Sequence, residues 1–88
     1  MPWVISLSPE AEKQLSRLPR HFQQRIAKAI DQMRGDPFQG NLTSLKGHQW
    51  KGRFRKRVGR YRLIFFPHYS EHLIEISQIL IRSEQSYR

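Results

Sequence analysis

The sequence predicts an α+β domain with the element order β-α-α-β-β-β, and three observations carry the prediction. Apolar residues recur at helical intervals from Ala11 to Met33. The pattern then switches to alternation after the polar stretch DPFQGNLTSL, and Leu73 to Ile81 is apolar on both parities. Eighty-eight residues suffice for one modest core, so residues 1–88 are read as a single domain without repeat or low-complexity tract.

The elements follow in order. Trp3 to Leu7 is short, apolar and partly β-branched, and reads as a first strand. Ser8-Pro9-Glu10 is a helix start, with Ser8 as N-cap and Pro9 where a missing N–H costs nothing. Glu10 and Glu12 then stand near the positive end of the helix dipole. Ala11, Leu15 and Leu18 keep helical spacing until Pro19 interrupts. A second helix takes Phe22, Ile26, Ala29, Ile30 and Met33 and closes at Arg34-Gly35, with Pro37 just beyond. The two helices form a hairpin.

Asp36 to Leu45 is rich in Pro, Gly, Asn, Thr and Ser and reads as a connector. From Trp50 the alternation puts Trp50, Gly52, Phe54, Lys56 and Val58 on one side and Lys51, Arg53, Arg55 and Arg57 on the other. One side of that expected strand is wholly cationic. Val58-Gly59-Arg60 suits a tight turn, a two-residue Gly-Arg loop being one of several options; Tyr61 to Phe66 is a strand ended by Pro67, and HYSEH turns the chain into the last strand, Leu73 to Ile81. Its apolar character on both parities suggests an interior position.

The net charge of +9 points to polyanionic partners: nucleic acid, an acidic protein or an anionic membrane surface. Cysteine is absent, which excludes disulfides and thiolate metal sites and fits a reducing cytosol. No apolar run is long enough to span a bilayer, and MPWVISLSPE lacks the form of a secretion signal, so a cytoplasmic protein is expected. His68 and His72 stand four apart, but in a turn without a third ligand, so no metal is expected.

The charge is unevenly placed. The seven acids, Glu10, Glu12, Asp31, Asp36, Glu71, Glu75 and Glu84, leave Pro37 to Ser70 without one. That interval holds Lys46, Lys51, Arg53, Arg55, Lys56, Arg57, Arg60 and Arg62, half of the chain's 16 cations. Cations on one strand face, roughly 6.5 to 7 Å apart, repel unless an anion lies between them. A phosphate backbone meets that need, and so does an acidic protein. Phe65-Phe66 reads as core, plus a packing site for a partner peptide, before it reads as a base-stacking platform.

The helical hairpin followed by LKGHQWKGRFRKRVGRYRLIFF and a terminal IRSEQSYR resembles the RelE/ParE superfamily of toxin-antitoxin toxins, most closely the RelE-type mRNA interferases. The resemblance covers essentially the whole chain. It implies an antiparallel sheet packed on one face by the N-terminal hairpin. It also implies a metal-independent, cofactor-free endoribonuclease that enters the ribosomal A site and cuts translated mRNA. The ribose 2′-OH attacks the adjacent phosphodiester, leaving a 2′,3′-cyclic phosphate and a 5′-OH.

Carried over by position, the resemblance assigns Arg53, Arg55, Arg62, Arg82 and Tyr87 to catalysis; the charge pattern adds Lys46, Lys51, Arg57 and Arg60 as further phosphate contacts. Arginine is too weak an acid to yield a general base; carboxylates and histidines take that role in related toxins, so the resemblance implies Glu84 or His48 as alternatives, with no motif fixing either position. Tyr87 suits base stacking or substrate orientation. Implied partners are a cognate antitoxin, acidic or wrapping, through which the complex binds operator DNA, together with mRNA and the ribosome. Two other readings remain: a ParE-type, non-enzymatic inhibitor of DNA gyrase, and a passive RNA-binding module.

Overall fold

The computed structural model describes residues 2–81. Strand β1 (Val4–Leu7) leads into helices α1 (Pro9–Ser16) and α2 (Arg20–Met33), followed by β2 (Leu42–Ser44), a 3₁₀ turn at His48–Trp50, β3 (Phe54–Val58), β4 (Tyr61–His68) and β5 (Leu73–Ile81). The strands form one sheet in the order β1-β5-β4-β3-β2. Pairing is antiparallel from β2 to β5, while β1 runs parallel to β5 from Val4↔Leu73 to Leu7↔Ile76. The sheet is therefore mixed, and it has one strand more than the sequence suggests.

The N-terminal half forms as its residues dictate. Ser8 caps α1: its hydroxyl accepts from the Ala11 N–H at 3.1 Å and donates to the Ser77 carbonyl at 2.8 Å, which ties the helix start to β5. Pro9 and Glu10 occupy the first turn. The Gln23 side-chain amide donates to the carbonyls of Ser16 and Leu18, satisfying the end of α1 across the break at Pro19. Helix α2 buries Ile26, Ala29, Ile30 and Met33 along one stripe.

That stripe meets one face of the sheet. Ala11 of α1 and Ile26, Ile30 and Met33 of α2 pack with Tyr61, Leu63 and Phe65 of β4 and Ile74, Ile76 and Ile79 of β5. The intervening β4 residues, Arg62, Ile64 and Phe66, therefore point to the face that carries no helix. A register shift between Ile64 and Phe65 leaves Ser77 out of the ladder, its hydroxyl donating to the Ile64 carbonyl at 3.2 Å. The bulge reverses the parity of β5, so Ile74, Ile76 and Ile79 all reach the core. This is why β5 looks apolar on both parities. It is also an interior strand, between β1 and β4.

Three local expectations change. Part of the connector pairs as β2 against β3, from Leu42↔Lys56 to Ser44↔Phe54. Its three residues are too few to show alternation. The basic strand begins at Phe54 rather than Trp50, because the 3₁₀ turn and Gly52 (φ 78°) interrupt the extended chain, so Lys51 and Arg53 precede the strand. Strand β4 continues through Pro67 to His68. The β3 pairing ends at Phe54↔Phe65, so the missing N–H of Pro67 deprives no partner strand there. Of the turns open at Val58-Gly59-Arg60, the two-residue Gly59-Arg60 loop forms: Val58 pairs with Tyr61, and Gly59 takes the positive φ of 60°.

Lys56 stands on the helix-facing side of β3, buried opposite Leu63, and its Nζ donates to the Gln39 carbonyl. Burial lowers its pKa below the ordinary 10.5, with Asp36 partly offsetting the effect. Between the native and unfolded pKa values the unfolded chain binds more protons, so this group's contribution to stability rises with pH and levels off above 10.5. Denaturant titrations from neutral pH to that value should show the wild type gaining stability relative to Lys56→Met. Parallel curves would contradict the assignment.

Candidate nucleic-acid interface

The helix-free face is built from β2 to β5, and its chemistry follows from register. Arg57 pairs directly with Arg62, and Arg55 stands one same-side step along β3, opposite Ile64. Directly opposed residues bring their Cβ atoms to about 4.5–5.5 Å, where like charges destabilise a sheet. Arg62 is only 8 % exposed, so its guanidinium is held in place by the surrounding protein. The three arginines, with Asn41, Leu42 and Thr43, line a depression of about 190 Å³. No carboxylate lines it among the described residues.

Such a site can hold an anion and stabilise negative charge that develops on it. Planar guanidiniums offer paired donors that match phosphate oxygens. They do not abstract protons at neutral pH, and neither a carboxylate nor an imidazole lines the depression among the described residues.

The expected site residues divide into groups. Arg55, Arg57 and Arg62 come together. Arg53 does not join them: its guanidinium carbon lies 5.4 Å from the centre of the Phe66 ring, and it lines a second depression with Ser8, Glu10, Gln49, Trp50, Ser77 and Gln78. Lys46, His48 and Lys51 are exposed on the segment before β3, and Arg60 is exposed at the hairpin tip; none lines the arginine depression. Arg82, Glu84 and Tyr87 lie outside the described residues. Asn41 and Thr43 were not expected. They enter because β2 pairs with β3, a pairing that the turn-like composition of DPFQGNLTSL conceals.

The aromatic pair is split by strand alternation. Phe65 is fully buried in the core, while Phe66 is partly covered on the helix-free face. A Cβ on Gly52 would come within 2.8 Å of Phe66 Cε2, so the segment before β3 lies directly over that ring. His68 and His72 do not converge: His68 faces Glu75 at 3.2 Å and Glu71 at 3.7 Å, while His72 stacks on Trp3. No group of three His, Cys, Asp or Glu residues is placed to hold a metal ion among the described residues. No helix among them is long and apolar enough to cross a membrane.

Two helices on one face of a five-stranded mixed sheet, with arginines gathered on the other, define the chain as a RelE-like toxin fold. The RelE of the archaeal RelE-RelB complex from Pyrococcus horikoshii matches with a TM-score of 0.81 at 21% identity, over 96% of this chain and 99% of that one. The toxin-antitoxin complex RelBE2 from Mycobacterium tuberculosis gives 0.82 at 20% identity, over 93% and 100%. The isolated Escherichia coli RelE toxin gives 0.77 at 12% identity, over 96% and 88%. At such identities the likeness is one of fold. No curated protein matches significantly. The family model described as the ParE toxin of the type II toxin-antitoxin system, parDE, matches residues 5–86. The chain belongs to this family, within the RelE/ParE superfamily, and is the toxin of a type II toxin-antitoxin system.

Proposed function

We propose that this toxin is a metal-independent, ribosome-dependent endoribonuclease that cuts translated mRNA in the cytoplasm. The observation that carries the reading is the arginine depression, where Arg57 and Arg62 directly oppose each other across the ladder and Arg55 stands beside them. Guanidiniums gathered in one depression present several donors in the geometry that phosphate oxygens accept. Arg55, Arg57 and Arg62 grip the scissile phosphate and stabilise its additional charge as the 2′-oxygen attacks phosphorus and the 5′-oxygen departs. Arg53 steadies the strand from the neighbouring depression. Lys46, Lys51 and Arg60 supply the surrounding positive field.

The remaining roles rest on the resemblance. Arg82 stabilises the departing 5′-oxygen, Tyr87 orients a base, and Glu84 or His48 takes the 2′ proton. A cognate antitoxin with an acidic or wrapping segment covers the basic face and carries the complex to operator DNA.

Primer extension on an abundant transcript after induced expression, with and without active translation, tests the reading. Cuts confined to translated mRNA are expected. Intact mRNA with arrested growth would instead favour gyrase poisoning, a reading to which the ParE description of the matching family model gives weight. Binding of single-stranded RNA by the purified toxin should weaken with salt, with a log–log slope that grows by about −0.7 for each phosphate neutralised. Arg57→Ala should weaken that binding at low salt. Affinity unchanged by that substitution would remove Arg57 from the contact.

A further inference from the structure

The second depression has a different chemistry. Trp50 and Gln49 of the 3₁₀ turn, Arg53, Ser77 and Gln78 of β5, and Ser8 and Glu10 at the start of α1 line an open depression of about 440 Å³. Glu10 is the only carboxylate lining either of the two depressions among the described residues. We propose that this is a base-reading subsite that takes one unpaired nucleobase of the bound RNA, with guanine the base its polar groups complement. The inference rests on the RNA reading above.

Position links the two depressions. Gln78 pairs with Ile64, the next residue after Arg62 on the same side of β4, and Leu80 pairs with Arg62 itself. Each same-side step is about 7 Å, so a strand whose phosphate lies on the arginines brings a neighbouring nucleotide to Gln78.

The side chains then select what enters. A carboxylate repels phosphate, so Glu10 argues against a second backbone contact and for a ligand edge that carries N–H donors. Gln78 Nε2 donates a long hydrogen bond to Glu10 Oε2 at 3.4 Å, which places the carboxylate beside that amide. The Ser8 hydroxyl is already engaged with Ala11 and Ser77, which leaves Glu10, Arg53 and the glutamine amides to meet a ligand. Guanine alone among the four bases presents N1–H and the N2 amino group side by side to one carboxylate, and its O6 and N7 accept from an arginine. Arg53 is steadied by its place over Phe66. Trp50 is partly buried yet is not among the apolar side chains packed on the core, and its indole offers a surface on which a base stacks.

Two fluorescein-labelled RNA hexamers, oligouridine and oligouridine with one central guanosine, test the proposal by anisotropy with the purified full chain, independently of cleavage. The wild type should bind the guanosine hexamer about tenfold more tightly. Glu10→Gln should reduce that affinity to the oligouridine value, whereas Arg62→Ala should weaken both hexamers and retain their ratio. Equal wild-type affinities, or a ratio that survives Glu10→Gln, would overturn the subsite while leaving the RNA reading standing. No binding of either hexamer would overturn both.

Discussion

Replacing Arg62 by methionine is expected to lower mRNA cleavage by about 10²–10³-fold, the usual consequence of deleting one preorganised donor to a charge that forms during reaction. Methionine preserves much of the buried volume and removes the guanidinium that opposes Arg57. The domain should stay folded, with a change in melting temperature small beside the loss of activity. Primer extension reads the first effect and thermal melting the second. Retained cleavage in a folded variant would sink the site assignment. Lost cleavage with a collapsed melting temperature would show that Arg62 serves the fold.

The largest effect on stability is expected at Phe65. Its side chain is fully buried among Ile26, Met33, Leu63 and Ile76 in the core, so truncation to alanine should cost about 3–5 kcal/mol. For a domain of this size that amounts to a fall in melting temperature of about 15 °C or more. Phe66→Ala should cost far less, because that ring lies partly covered on the opposite face. Its main consequence should be to release Arg53, which rests over the ring, and so to weaken RNA binding. Equal melting temperatures for the two variants would contradict the alternation of β4.

The contrast between these neighbours shows what was legible in the sequence. Helix boundaries were, because Ser8-Pro9 and Pro19 act locally, through caps and missing N–H groups. The core stripe of α2 was also legible, since Ile26, Ala29, Ile30 and Met33 repeat at the helical interval wherever the helix packs. Among the site residues, the acid-free interval marked Arg55, Arg57 and Arg62 as part of a basic surface, while the register that sets Arg57 opposite Arg62 came only with the pairing of β3 and β4.

Other features depend on contacts between distant residues. β2 exists only because β3 offers it a partner, and three residues of turn-like composition carry no signal of that. The Ser77 bulge reverses the parity of β5, so alternation alone misassigns which of its residues face the helices. Arg53 shares its parity with Arg55, but the turn at Gly52 and the Phe66 ring draw it to another depression. Glu10 meets Gln78 across 68 positions of sequence, a juxtaposition set by where α1 docks on the sheet. The sequence by itself determined the helices and the positive sign of the β3–β4 region, because caps and charge act over a few residues. Which arginines converge was decided by strand pairing, and that a carboxylate and a tryptophan stand near them by the docking of α1 and the 3₁₀ turn, contacts whose energy exists only once distant segments have met.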